Sequence, residues 1–335
     1  MSEKKYKLSD DTKKWCGHKL YRIIALRDFS LITGEEVKKG DKGGWIESEY
    51  NLSQTGRAWV KDEAIVCEKA QVSDNGLICN NALATGHARI KGNATVLDRA
   101  LIREHGVIRG CATAKDNAVI KGNSLVKDNV VVSERGTIDG VAIIANNSMV
   151  YGYGYVGEKA IVRGNSKIFG KSVVKGMSII DSNAEIGGLS QILEKGRIGG
   201  NARIYGKSII KYPHLITKDI REDLIQYIAA SLNVYPIKGK YYLYKRVNKV
   251  KEGVYKSIWD SDFIYKLGEY AEAKKVKEDF LISCDSGLHV STADYWHEGD
   301  TLIAVEVDIK DIITCMEGKL RVRKLKVIDE IWSKK

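Results

Sequence analysis

The sequence predicts a mainly β chain whose centre is a three-sided parallel solenoid, and three observations carry that prediction. From Ala58 to Pro213 the chain divides into 26 hexads without an insertion. The third hexad position is Val or Ile in 24 of them, with Ala84 and Ala114 the exceptions, and the first is Ala, Gly or Ser everywhere but Val130. Glycine is abundant at 32 residues while Pro213 and Pro236 are the only prolines, a balance that suits many tight corners and excludes a proline-rich linker protein. Apolar residues at a period of six make no helical stripe. A short strand with one inward aliphatic, followed by a corner with room only for a small side chain, satisfies the pattern. Three such strands close one coil of 18 residues, and coils stack at the ordinary inter-strand distance of ~4.8 Å.

Taken in order, residues 1–57 precede the repeat and form an N-terminal cap. Residues 58–213 are the solenoid. Residues 214–236 lie around the two prolines, and there Ile220, Leu224, Ile225, Ile228 and Leu232 recur at three- and four-residue spacing, which predicts an amphipathic helix from about 217 to 232. Its start is expected at Thr217 or at Lys218 and Asp219, and its role is to cap the open end of the coils. Residues 237–335 read as a small α+β domain, with short strands in YYLYKRV, GVYKSIW, FIYKLG, TLIAVEVDI and KLRVRKLKVI and a loop at SCDSGLHVST.

Composition narrows the class of function. Hydrophobic residues at 44% and charged residues at 29% exclude wholesale disorder. No run approaches 18 apolar residues and MSEKKYKLSDDTKKW has no apolar signal core, so the chain reads as soluble and cytoplasmic, with no membrane partner. The six cysteines show no CxxC and no zinc-ligand spacing, so neither a disulfide framework nor a metal site is expected. Net charge is +11, and residues 58–213 hold 21 basic against 14 acidic side chains. That excess favours an anionic small molecule but is too dilute for a nucleic-acid-binding tail.

The hexad pattern resembles the hexapeptide-repeat left-handed β-helix family. YRIIALRDF and KGDKGGWIESEYNLSQTGRAWV are similar to the YdcK-like proteins of bacteria and phages, a resemblance that covers residues 1–213 and implies the left-handed fold with no established reaction. Relatives of that fold are commonly homotrimers, so a homo-oligomer, most simply a trimer, is expected. In the C-terminal region Cys284, Gly287, Leu288, His289, Val290, Tyr295, Val305, Val307, Asp311, Lys319 and Arg321 resemble an element of phage rIIB-like proteins. If the chain is phage-encoded, its compartment is the host cytoplasm. GLHVSTADY also looks like an element of ADP-ribosyltransferase folds, which would need a catalytic glutamate; Glu306 lies on a strand in the right half of the domain.

Reading every eighteenth residue yields the candidate sites. One corner column carries Asn75, Asn93, Asn129, Asn147, Asn165, Asn183 and Asn201, with Cys111 as its interruption, and is expected to be a structural amide ladder in a left-handed corner conformation. His87 and His105 stack in another corner. An outward column of Lys91, Arg109, Lys127 and Arg163, broken by Ala145, is a candidate anion-binding strip. Beside it Val107, Leu125, Ile143, Ile161 and Ile179 form an aliphatic stripe suited to self-association. In the C-terminal domain His289, Lys319, Arg321 and Arg323 are candidate ligand contacts, the last three alternating on one strand. No catalytic residue, cofactor or metal is assigned. Hexapeptide acyltransferases use a histidine on an extruded loop, and this repeat has no insertion. The expectation is therefore a binding protein for an anionic, nucleotide-type ligand, such as one that sequesters a host immune signal, with acyl transfer or a bare protein scaffold as alternatives.

Overall fold

Each hexad makes a two-residue strand and a turn, and the computed structural model describes residues 4–333 of the chain. The residues group into two compact units, Met1–Gly187 with Ile198–Asn201 and Gly188–Arg197 with Ala202–Lys335. The chain is mainly β, a parallel β-solenoid with one short helix and a small β region at its C-terminal end.

In the first unit the strands pair in parallel at the expected register of 18 residues, as in Leu83↔Leu101↔Val119↔Thr137. The third-position aliphatics point inward, and Val126, Ile144 and Val162 are wholly buried. First-position serines are equally buried, because each hydroxyl turns back on the chain: Ser124 donates to the Lys121 carbonyl at 2.6 Å and Ser166 to that of Arg163 at 2.7 Å. A buried hydroxyl is tolerated when satisfied in this way.

The corners differ from expectation in one respect. The left-handed residue is the fifth of the hexad, for example Asp98 (φ 58°) and Glu104 (φ 58°), one place before the asparagine column. Non-glycine residues there are chiefly acidic, and the structure supplies a reason. The carboxylate at this corner accepts the backbone N–H of the same corner one coil on, as in Asp98 to Asp116 (3.1 Å), Glu104 to Gly122 (2.9 Å) and Asp116 to Glu134 (2.9 Å). A side-chain hydrogen bond thus offsets the cost of a left-handed backbone. The asparagines form the expected ladder, with Asn129 to Asn147, Asn147 to Asn165 and Asn183 to Asn201 each at 3.0 Å.

The solenoid begins earlier than the hexad count implies. Trp45 and Ile46 pair in parallel with Ile65 and Val66, and Leu52 bridges Val72. Ile46 and Leu52 occupy the inward position, but Gly56 and Arg57 stand between their hexads and the one that opens at Ala58, which hides the register. The antiparallel hairpin Tyr6–Trp15 and His18–Ala25 joins this first strand, so the cap extends the same sheet. Lys5 and Tyr6 close the end, the Lys5 ammonium donating to the Ala58 carbonyl at 2.7 Å and the Tyr6 hydroxyl to that of Leu52 at 2.6 Å.

The second unit holds the final repeat strands, including Leu215–Ile216, one hexad beyond the predicted end. Because Leu215 and Ile216 are extended, the helix spans only Leu224–Leu232 rather than starting near Thr217. Asp223 caps it by accepting the Gln226 N–H, and Asn233 ends it in the left-handed conformation (φ 57°). Asp219, the expected N-terminal residue, instead accepts the Arg203 N–H at 2.7 Å. The Ala230 carbonyl receives the N–H groups of Lys211 and Tyr212, so the helix satisfies the edge of the last repeat strands as a cap should.

The C-terminal region has a six-stranded antiparallel sheet in the order Ile264–Lys266, Val254–Lys256, Lys240–Lys251, Thr301–Asp308, Lys324–Ser333, Tyr270–Glu272. A second sheet places Lys319–Val322 between Leu288–Val290 and Ile312–Met316. The run KLRVRKLKVI is therefore two strands that part at Arg323, and the segment read as a loop contains the strand Leu288–Val290. The regular helical structure in 237–333 is one 3-10 turn, Ile309–Asp311.

Candidate functional site

The solenoid columns are in register as read. Arg109 is exposed, Lys91 half-buried, Lys127 lies 3.9 Å from Asp128, and Arg163 lies 3.4 Å from Asp181. They follow successive stacked strands as a row of surface charges, two of them beside acidic neighbours. His87 and His105 stack with ring centroids 4.6 Å apart, and both are exposed. The aliphatic stripe from Val107 to Ile179 is half-buried along its length.

A different geometry appears in the C-terminal region. A cavity of about 780 Å³ opens there, walled by Phe263, Tyr265 and Trp296 with Trp259 at its rim, and with Lys245, His289 and Lys319 in its lining. Of the eight residues nominated from the sequence, His289 and Lys319 line it. They come together because Leu288–Val290 pairs antiparallel with Lys319–Val322, so that His289 stands opposite Arg321.

Arg321 is not placed to grip a ligand. It is wholly buried, and its guanidinium donates to the carbonyls of Ser286 (3.2 Å) and Asp279. Its Nε has no partner among the described residues. The side chain thus holds the segment 279–287 in place as one wall of the cavity. Gly287 (φ 145°) lies so close above it that a Cβ would meet Arg321 Cγ at 2.9 Å, which requires glycine. Arg323, beyond the end of the strand, pairs with Glu278 and donates to the Lys310 carbonyl at 3.1 Å. The predicted cluster of three cations is therefore dispersed: one lines the cavity, one props its wall and one is paired elsewhere.

The electrostatics of the lining are uneven. Burial works against the Lys319 ammonium, yet the Cys284 thiol and the Glu317 carboxylate 3.1 Å away hold its pKa above the ordinary lysine value. Glu317 is itself half-buried, but the Ser283 hydroxyl, Lys207 and Lys319 lower its pKa to about 2. Desolvation, reinforced by the Lys245 charge, brings His289 down to about 4, so the ring is neutral at pH 7 and its Nε2 donates to the Ser283 carbonyl at 3.2 Å. Lys245 is 7% exposed, and burial alone lowers its pKa to about 8. Its ammonium donates to the His289 carbonyl at 2.9 Å, between the rings of Tyr265 (5.5 Å) and Trp296 (5.8 Å), and no carboxylate pairs with it among the described residues.

Lys245, Trp296 and the Trp259–Tyr265 stretch were not singled out from the sequence as site residues. A signal for Lys245 was present: Tyr241, Leu243 and Val247 share one face of their strand, and Lys245 is the charged residue in that inward register. Glu306, considered for transferase chemistry, bonds to Lys240 at 2.5 Å and to Tyr242 at 3.2 Å and does not line the cavity. No group of His, Cys, Asp and Glu side chains able to hold a metal ion occurs among the described residues. Nor is any described helix long and apolar enough to cross a membrane.

Comparison with protein-family models and with curated proteins finds no match. The functional reading therefore rests on the cavity itself.

Proposed function

We propose that this chain is a non-catalytic binding protein whose C-terminal cavity takes a small aromatic anion of the nucleotide type. One observation carries the reading: Lys245 is a buried cation with a carbonyl partner and, among the described residues, no counter-charge, set among aromatic rings in a cavity of ligand size. A buried charge is costly until something of opposite sign joins it. A ligand phosphate would supply that charge, and the rings of Trp296, Tyr265 and Phe263 offer faces on which a base can stack. The volume falls within the range of small-molecule sites.

The engagement of Glu306 with Lys240 and Tyr242 supports binding over transferase chemistry. The exposed, mutually stacked His87 and His105 offer an acyl acceptor no enclosing wall, which favours binding over acyl transfer. The resemblance to phage-borne proteins noted in the sequence favours a protein that holds a signalling nucleotide without converting it. Calorimetric titration with adenosine monophosphate and cyclic nucleotides should show binding that weakens with salt and falls at least tenfold in Lys245→Met. Absence of binding at low salt would overturn the reading.

A further inference from the structure

We propose that Lys245 is a reactive amine that captures a carbonyl-bearing aromatic anion as an imine, an inference that rests on the cavity reading above and specifies its ligand. Three features distinguish this lysine from others at the cavity. Lys319 pairs with Glu317 at 3.1 Å and Lys274 with Asp260 at 3.4 Å, whereas Lys245 has the His289 carbonyl as its polar partner. Lys245 is also buried, and burial lowers its pKa to about 8, so more of its amine is free near neutral pH than in an ordinary exposed lysine. Lastly, Tyr265 and Trp296 flank the amine, and their rings keep water away from a newly formed C=N bond while receiving the ring of the ligand.

The chemistry balances without an oxidant or reductant. The amine nitrogen adds to the carbonyl carbon, forming the N–C bond. The former carbonyl oxygen then leaves as water with the two amine hydrogens, and C=N remains. Lys319 in the same lining supplies positive charge for a phosphate on the ligand. A desolvated lysine in an apolar pocket is the setting in which amines act as nucleophiles near neutral pH.

The probe is pyridoxal 5′-phosphate, an aromatic aldehyde that carries a phosphate, with pyridoxal as the phosphate-free control. Incubation with the full chain, borohydride reduction and peptide mapping should place about one adduct per chain on Lys245, at aldehyde concentrations at least tenfold below those that label surface lysines. Pyridoxal should react more weakly, and adenosine monophosphate should protect. Lys245→Met should lose the adduct, while Lys245→Arg should lose it and keep salt-sensitive binding of adenosine monophosphate. Labelling spread evenly over the lysines would overturn the proposal, whatever the variants do. Nucleotide binding without preferential Lys245 labelling would overturn the imine alone. Selective Lys245 labelling without nucleotide binding would uphold the reactive amine and overturn the nucleotide reading.

Discussion

Two residues near the cavity, Lys245 and Glu317, both have lowered pKa values and both make stability rise with pH, each in its own window. Lys245 has a folded-state pKa of about 8, below its unfolded value, so the unfolded chain binds more protons between about pH 8 and 10.5. Stability should therefore rise with pH across that window, by at most on the order of 3 kcal/mol from this group. Lys5, also held near 8 by burial and the neighbouring Arg27 charge, adds a contribution of the same sign. Thermal melts from pH 7 to 10 should show a smaller rise in Lys245→Met than in the parent; equal slopes would refute the assignment. Glu317 behaves as the depressed carboxylate does: its contribution is complete above the unfolded pKa near 4.5 and is lost as pH falls toward about 2. Melts between pH 6 and 2.5 should converge for the parent and Glu317→Gln at the acid end and separate above pH 5. At the same scale Gly287→Ala should lower the melting temperature, because the new Cβ meets a buried arginine that cannot withdraw.

At the scale of the element, the fifth hexad position shows how one coil binds the next. Glu104 trades a left-handed backbone for a carboxylate bond to the Gly122 N–H. Replacing it by glycine removes both the strain and the bond, so Glu104→Gly should melt within about 0.5 kcal/mol of the parent. Glu104→Val retains the strain without the bond and should cost about 1–3 kcal/mol. Equal melting of the parent and Glu104→Val would show that the corner carboxylate contributes nothing. Inside the coil, Val126→Asp puts an unpaired charge at a wholly buried position and should cost on the order of 3–5 kcal/mol, or prevent folding.

At the scale of the whole molecule, the half-buried column Val107, Leu125, Ile143, Ile161 and Ile179 runs in register over successive coils. We propose that it serves self-association, most simply as a trimer. Sedimentation at micromolar concentration should then give a species larger than the 37.3-kDa chain, and Ile143→Lys with Ile161→Lys should shift it to monomer while the melt stays cooperative. A monomeric parent would end the proposal.

The solenoid was legible in the sequence because its physics is local and periodic. An inward aliphatic every six residues and a small residue at the corner specify strand, face and register at once, so the pairing Val107↔Leu125 and the amide ladder from Asn129 to Asn165 could be read by counting. The ends were less legible, since two inserted residues at Gly56 and Arg57 conceal a register that only the stacking of Ile46 on Val66 reveals. The cavity lay mostly beyond the sequence. Lys245, His289, Trp296 and Lys319 come from separate strands and loops, and the alternation of KLRVRK does not say which cation meets a ligand and which meets a carbonyl. Only the folded chain decides that Arg321 is consumed by Ser286 and Asp279 while Lys245 is left without a counter-charge among the described residues, because burial and partnership are set by residues distant along the chain.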